Sequence, residues 1–257
     1  MDPQTLSNDR SIIPTYPALL TALTDFLTVS VHTILYHRNI YPAEIFVKAR
    51  KYSFPVYQCR HERVCRWVGD AMRAVGGEIG KANGVWNKKG NVATVSLILL
   101  SPGNVALERF VFNLSSFPPM QPDGEGGGGG DSLMFQPPDE EDGGRRGGRE
   151  MDEVTVAGLE AQFRDCMMRL SIAAPDLGKL PEDCTYTIAL EMKESDAPMN
   201  YAEVWAPAEG QGSDGTGIRR GGGGAKTTDI RTVEADSICL ELSIEETTTK
   251  TKMVFEQ

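Results

Sequence analysis

Cys59, His61 and Cys65 form the tightest grouping of metal-capable side chains in the sequence. Thiolates and an imidazole suit zinc, but a tetrahedral site closes with a second pair, and none follows at ligand spacing. The grouping reads as the chance content of a helix start. Gly221-Gly222-Gly223-Gly224-Ala225-Lys226-Thr227 has the outline of a phosphate-binding loop. Such a loop cradles phosphate with backbone N–H groups and needs glycine at its head and before its lysine. Arg220 and Ala225 occupy those positions, so a flexible loop is the simpler reading. His32 lies beside an apolar helical stripe, where a histidine satisfied in the core needs no catalytic role. No acid pair, nucleophile elbow or Ser/His/Asp arrangement stands out. The expectation is a protein that is not an enzyme and holds no cofactor; a metal- or nucleotide-dependent enzyme is the alternative of a different class.

Seven basic residues (Arg38, Lys48, Arg50, Lys51, Arg60, Arg63, Arg66) face only Glu44 and Glu62 between positions 38 and 66. A phosphate backbone or an acidic partner would suit them. No stacking aromatics are interleaved as in single-strand binders, and a solvated face beside a core helix accounts for the run.

These residues must be positioned by a chain of 257 residues, whose glycines are unevenly placed. Of 27, ten fall in 124–148 and eight in 210–224, so the remainder reads as one compact domain. The formal charge of −10 is local as well: residues 121–153 carry ten acids against three arginines, leaving about −3 elsewhere. A strongly acidic average therefore describes a solvated tract, and not a surface that repels polyanions. The five cysteines are scattered and odd in number, and the first residues lack the charged and apolar pattern of a leader. Free thiols in a reducing compartment are expected. No run of the roughly 18 apolar residues needed to cross a bilayer is apparent, and no membrane association is expected.

Leu19, Leu20, Leu23, Phe26, Leu27, Val31, Ile34 and Leu35 recur at the spacing of one buried helical face. Pro17 suits the first turn, and Tyr41-Pro42 ends the helix because the residue before proline is pushed out of the α region. A second helix reads over 61–79, with Val64, Val68, Met72, Val75 and Ile79 as its stripe. Residues 92–100 and 107–114 flank the turn Ser101-Pro102-Gly103-Asn104 and predict a β-hairpin. A third helix over 152–173, closed by Pro175 and Gly178, precedes alternating strands at 186–192 and 238–244. Three amphipathic helices and antiparallel strands without βαβ repeats predict an α+β fold, with helices packed on one antiparallel sheet.

The junction of the first helix carries a more specific signal. Ile34-Leu35-Tyr36, Arg38, Tyr41-Pro42, Ile45-Phe46, Lys51-Tyr52 and Pro55-Val56 together resemble the HORMA family. Arg109-Phe110-Val111-Phe112, Cys184-Thr185-Tyr186-Thr187 and Asp236-Ser237-Ile238 extend the likeness. Within the family the pattern is most similar to the accessory, Mad2-like subunits of translesion DNA polymerase zeta. The resemblance implies a single domain over 1–257, in which 119–151 is a disordered acidic glycine-rich insertion. A second glycine-rich insertion, 208–227, falls within a mobile C-terminal segment. That segment closes like a seatbelt over a peptide added to a sheet edge.

The implied partners are the catalytic subunit of polymerase zeta, which supplies a proline-containing peptide, and a scaffolding translesion polymerase. DNA is met only indirectly, and the setting is DNA damage tolerance in the nucleus. A spindle-assembly-checkpoint protein binding mitotic regulators is the nearest alternative. By motif position, Tyr41, Trp67, Trp205 and Pro207 are the peptide-binding candidates, although Ala206-Pro207-Ala208 is less bulky than the family pattern. Arg164 and Arg169 match positions that mediate HORMA–HORMA dimerisation.

Overall fold

A computed structural model describes residues 16–80, 92–115, 156–192, 226–235 and 238–247 together with Lys250. Helix α1 (Tyr16–His37) runs through a short 3-10 turn at Ala43–Ile45 into strands β1 (Phe46–Lys51) and β2 (Phe54–Cys59). Helix α2 (Glu62–Gly80), strands β3 (Val92–Leu100) and β4 (Ala106–Asn113), helix α3 (Val156–Asp176) and strand β5 (Thr185–Met192) follow. Strands β6 (Lys226–Ala235) and β7 (Ile238–Glu246) complete the order. All strand pairings are antiparallel. β1 and β2 form a separate hairpin, while the main sheet has the order β5-β3-β4-β7-β6.

α1 is the organising element, packing against α2, α3 and β2. Its stripe from Leu19 to Leu35 is buried as the periodicity implies, except for the half-buried Leu20. Phe26 shows the consequence: its ring stacks on Phe163 of α3 at 4.4 Å and meets Phe112 of β4 edge-on at 6.2 Å. One side chain thereby joins all three layers. The expectation that no run is long enough to cross a bilayer is corrected here. Residues 17–37 are long and apolar enough by composition, but this helix spends its apolar face on the protein core.

α1 also ends earlier than its proline suggests. Asn39 takes a left-handed conformation (φ 51°), and the Ile40 N–H donates to the Leu35 carbonyl at 3.1 Å. This Schellman-type closure, and not Tyr41-Pro42, stops the helix. The β1–β2 turn places Tyr52 and Ser53 at φ 53° and 56°, as a two-residue hairpin turn of matching twist requires. A tyrosine there is strained, and its burial against Phe163 (5.3 Å) and Phe26 (6.4 Å) offsets the cost. α3 continues through Pro175 to Asp176, and residues 152–155 of the expected helix lie outside the described residues. Strand β6 starts at Lys226, so Lys226 and Thr227 of the phosphate-loop look-alike are strand residues, not loop.

Candidate functional site

The main sheet ends in β6 on one side and in β5 on the other, and among the described residues neither has a further strand on its outer side. On one side, β7 pairs with β4 from Glu108↔Glu246 to Asn113↔Glu241, and β6 covers β7. On the other, β5 pairs with β3, and among the described residues no strand occupies its outer edge. An edge of unpaired N–H and C=O groups is a template for an added strand.

A cleft of about 690 Å³ opens where β5 begins. Cys184, Thr185 and Tyr186 form one wall; Ile40, Tyr41, Pro42 and Ile45, from the connection after α1, form a second. His61, just before α2, and Arg63, Val64 and Trp67 of its first turns complete the lining. Tyr186 is the centre of an aromatic cluster, with Trp67 edge-on at 5.0 Å and Tyr41 edge-on at 6.1 Å. Burial, and then a side-chain hydrogen bond with Tyr41, push the Tyr186 phenol well above the ordinary tyrosine value. Trp67 remains 42% exposed, an unusual cost for a large apolar ring. Edge-on aromatic walls with a polar rim suit an apolar or proline-bearing segment better than reaction chemistry.

The structure brings two of the candidate residues, Tyr41 and Trp67, to this one cleft. Trp205 and Pro207 lie outside the described residues, as do the 119–151 insertion and most of 208–227. Arg164 and Arg169 are exposed on α3, next to the exposed Met168 and Ile172. Tyr186 is the residue that sequence reasoning missed. Its alternation with Ile188 points it to the helix side of the sheet, but only folding shows that α2 stops short of covering it.

The basic run divides in three dimensions. Arg38 is buried and leaves the solvated face assigned to it: its guanidinium grips Glu108 through Nε (2.8 Å) and Nη2 (2.6 Å). It also donates to the carbonyls of Ala174, Leu177 and Gly178, capping the end of α3. Lys250 donates to the same Glu108 and to Glu246, so two cations share one fully buried carboxylate. Thr247 adds a backbone bond to the Leu107 carbonyl at 3.0 Å. Together these contacts fasten the end of β7 to β4. Lys51 pairs with Asp25, and Arg66 with Glu62. Tyr36 stacks on Tyr57 at 3.5 Å, so these two rings are engaged with each other. The Cys65 thiol donates to the Cys59 carbonyl at 2.9 Å, and burial pushes it above the usual thiol value. His32 is buried with Nδ1 unpaired among the described residues, and desolvation lowers its proton affinity.

This architecture has known relatives. The family model for the HORMA domain matches residues 20–235. The chain belongs to the HORMA domain family. Among its relatives is the DNA polymerase zeta processivity subunit of Schizosaccharomyces pombe, 25% identical over 225 residues, or 87% of this chain and 91% of that protein. The mitotic spindle assembly checkpoint protein MAD2B of Danio rerio is 25% identical, with 89% and 90% covered. A HORMA fold is seen again in a crystal structure of the mitotic checkpoint complex, with TM-score 0.58, 17% identity and coverage of 89% and 98%. C. elegans HTP-2 bound to a HIM-3 closure motif superposes with TM-score 0.57, 12% identity and coverage of 96% and 98%.

Proposed function

We propose that this HORMA chain is a non-catalytic adaptor, the accessory subunit of a translesion DNA polymerase zeta acting in DNA damage tolerance in the nucleus. The observation that carries the reading is the outer edge of β5, open among the described residues, with an aromatic cleft at its start. A short extended peptide of the catalytic subunit adds there as a sixth strand, bonding main chain to main chain while its side chains enter the cleft. Tyr41 and Trp67 form the walls, and Trp205 and Pro207 act from the segment between β5 and β6 that closes over the guest. Release then requires that segment to open first, which slows dissociation. A separate surface docks the scaffolding polymerase, and Arg164 and Arg169 serve a HORMA–HORMA contact on α3. The similarity to the DNA polymerase zeta processivity subunit of S. pombe supports the polymerase assignment.

A checkpoint adaptor binding mitotic regulators is the second reading, favoured by the names of the MAD2B relatives. Affinity purification of the full chain from DNA-damaged cells separates the two. Co-purification of the polymerase catalytic subunit, lost in Trp67→Ala, is the expected result. Recovery of checkpoint components without a polymerase subunit overturns it.

A further inference from the structure

The cleft has a charged rim that the aromatic walls do not explain. Arg63 and His61 both line it, both are exposed, and no lining residue is acidic. Among the described residues neither has an acidic partner; the adjacent Glu62 is engaged by Arg66. A cation left without a counter-charge at the mouth of an apolar cleft is complementary to a carboxylate brought by the occupant.

The spacing sharpens this. Arg63 and Trp67 are four residues apart on α2, one above the other on the same helical face. Their separation along the helix is about 6 Å, from a rise of about 1.5 Å per residue. A β-strand advances about 6.6 Å between side chains on the same face. A guest strand running alongside α2 therefore places consecutive same-face side chains over Trp67 and Arg63. We infer that the segment captured on the β5 edge carries an Asp or Glu two positions from the apolar or proline residue that packs on Trp67, with Arg63 holding the carboxylate. This rests on the peptide-capture reading above and specifies its ligand as an acidic peptide.

The test is selection of a phage-displayed random dodecapeptide library on the full chain and on Trp67→Ala, Arg63→Gln, Arg63→Glu and Arg63→Lys variants, each checked for folding by circular dichroism. Expected is enrichment of acids at the second position from an aromatic, aliphatic or proline residue. The preference should be kept by Arg63→Lys, lost in Arg63→Gln and turned toward Lys or Arg in Arg63→Glu. A selected peptide and its Asp→Asn twin should differ about fivefold in Kd, the scale of one rim ion pair. Enrichment that Trp67→Ala abolishes, but without an acidic preference or with one indifferent to Arg63, overturns the inference and leaves peptide capture standing. Absence of any enrichment that depends on Trp67 overturns both.

Discussion

Replacing Glu108 with glutamine leaves the Arg38 guanidinium and the Lys250 ammonium buried around a neutral amide. The native carboxylate is fully buried and accepts two bonds from Arg38, at 2.8 and 2.6 Å, plus one from Lys250. Removing one partner of a buried pair costs about 3–5 kcal/mol, because the remaining charge stays desolvated. Two stranded cations put Glu108→Gln at the upper part of that range. Lys250→Met is milder, since Glu108 keeps its paired bond to Arg38 and Glu246 keeps access to water; the charged hydrogen bond to buried Glu108 is worth about 1.5–3 kcal/mol, and the one to Glu246 less. Arg38→Met falls with Glu108→Gln, as it also orphans the carbonyls of Ala174, Leu177 and Gly178. Urea denaturation at neutral pH reads the order directly. Hydrogen exchange adds a spatial check: Lys250→Met should speed exchange of the β7 amides more than those of β3, because the lysine fastens β7 to β4. If Glu108→Gln costs under about 1 kcal/mol, or Lys250→Met costs as much as Glu108→Gln, the shared carboxylate is not what holds the C-terminal strand.

Other outcomes follow from the same geometry. Trp67→Ala should weaken peptide capture by about 1–2 kcal/mol in calorimetry, as for an interface aromatic, with little change in melting temperature because the ring is half-exposed. His32 is held below the ordinary histidine value by burial, and His37 by burial and then by Arg38. Each protonates more readily in the unfolded chain, so stability is full above about pH 6.5 and is lost as pH falls through that value toward the lowered folded one. Urea midpoints measured from pH 7.5 to pH 5 should fall, and His32→Gln should flatten the slope; a rising midpoint refutes the assignment. Deleting residues 124–148 should move the melting temperature by less than about 2 °C, since loop length changes closure entropy only slowly. A large drop in a thermal melt would give that tract a structural part.

The amphipathic stripes of the three helices, the apolar run of β3 and the alternation in β4, β5 and β7 were legible in the residues, because burial periodicity is a local property of the chain. Tyr41 and Trp67 were legible as candidates through their motif positions. That they meet was decided by packing: α2 docks on α1 so that its first turns approach the start of β5. Tyr186 escaped because alternation assigns a face but does not say whether that face is covered. Arg38 read as surface for a related reason. Its partner Glu108 lies 70 positions away in sequence, and Lys250 reaches the same carboxylate from 142 positions beyond it; no local pattern announces charge pairs closed over such distances. Strand order is likewise non-local. Strands of similar pattern could pair in several orders, and only the assembled sheet shows that β7 takes the side of β4 and leaves β5 at an edge. The chain's pattern thus dictated which surfaces are apolar; the mutual docking of those surfaces chose which strands stand at the edges, because pairing depends on shape and register summed over the whole fold.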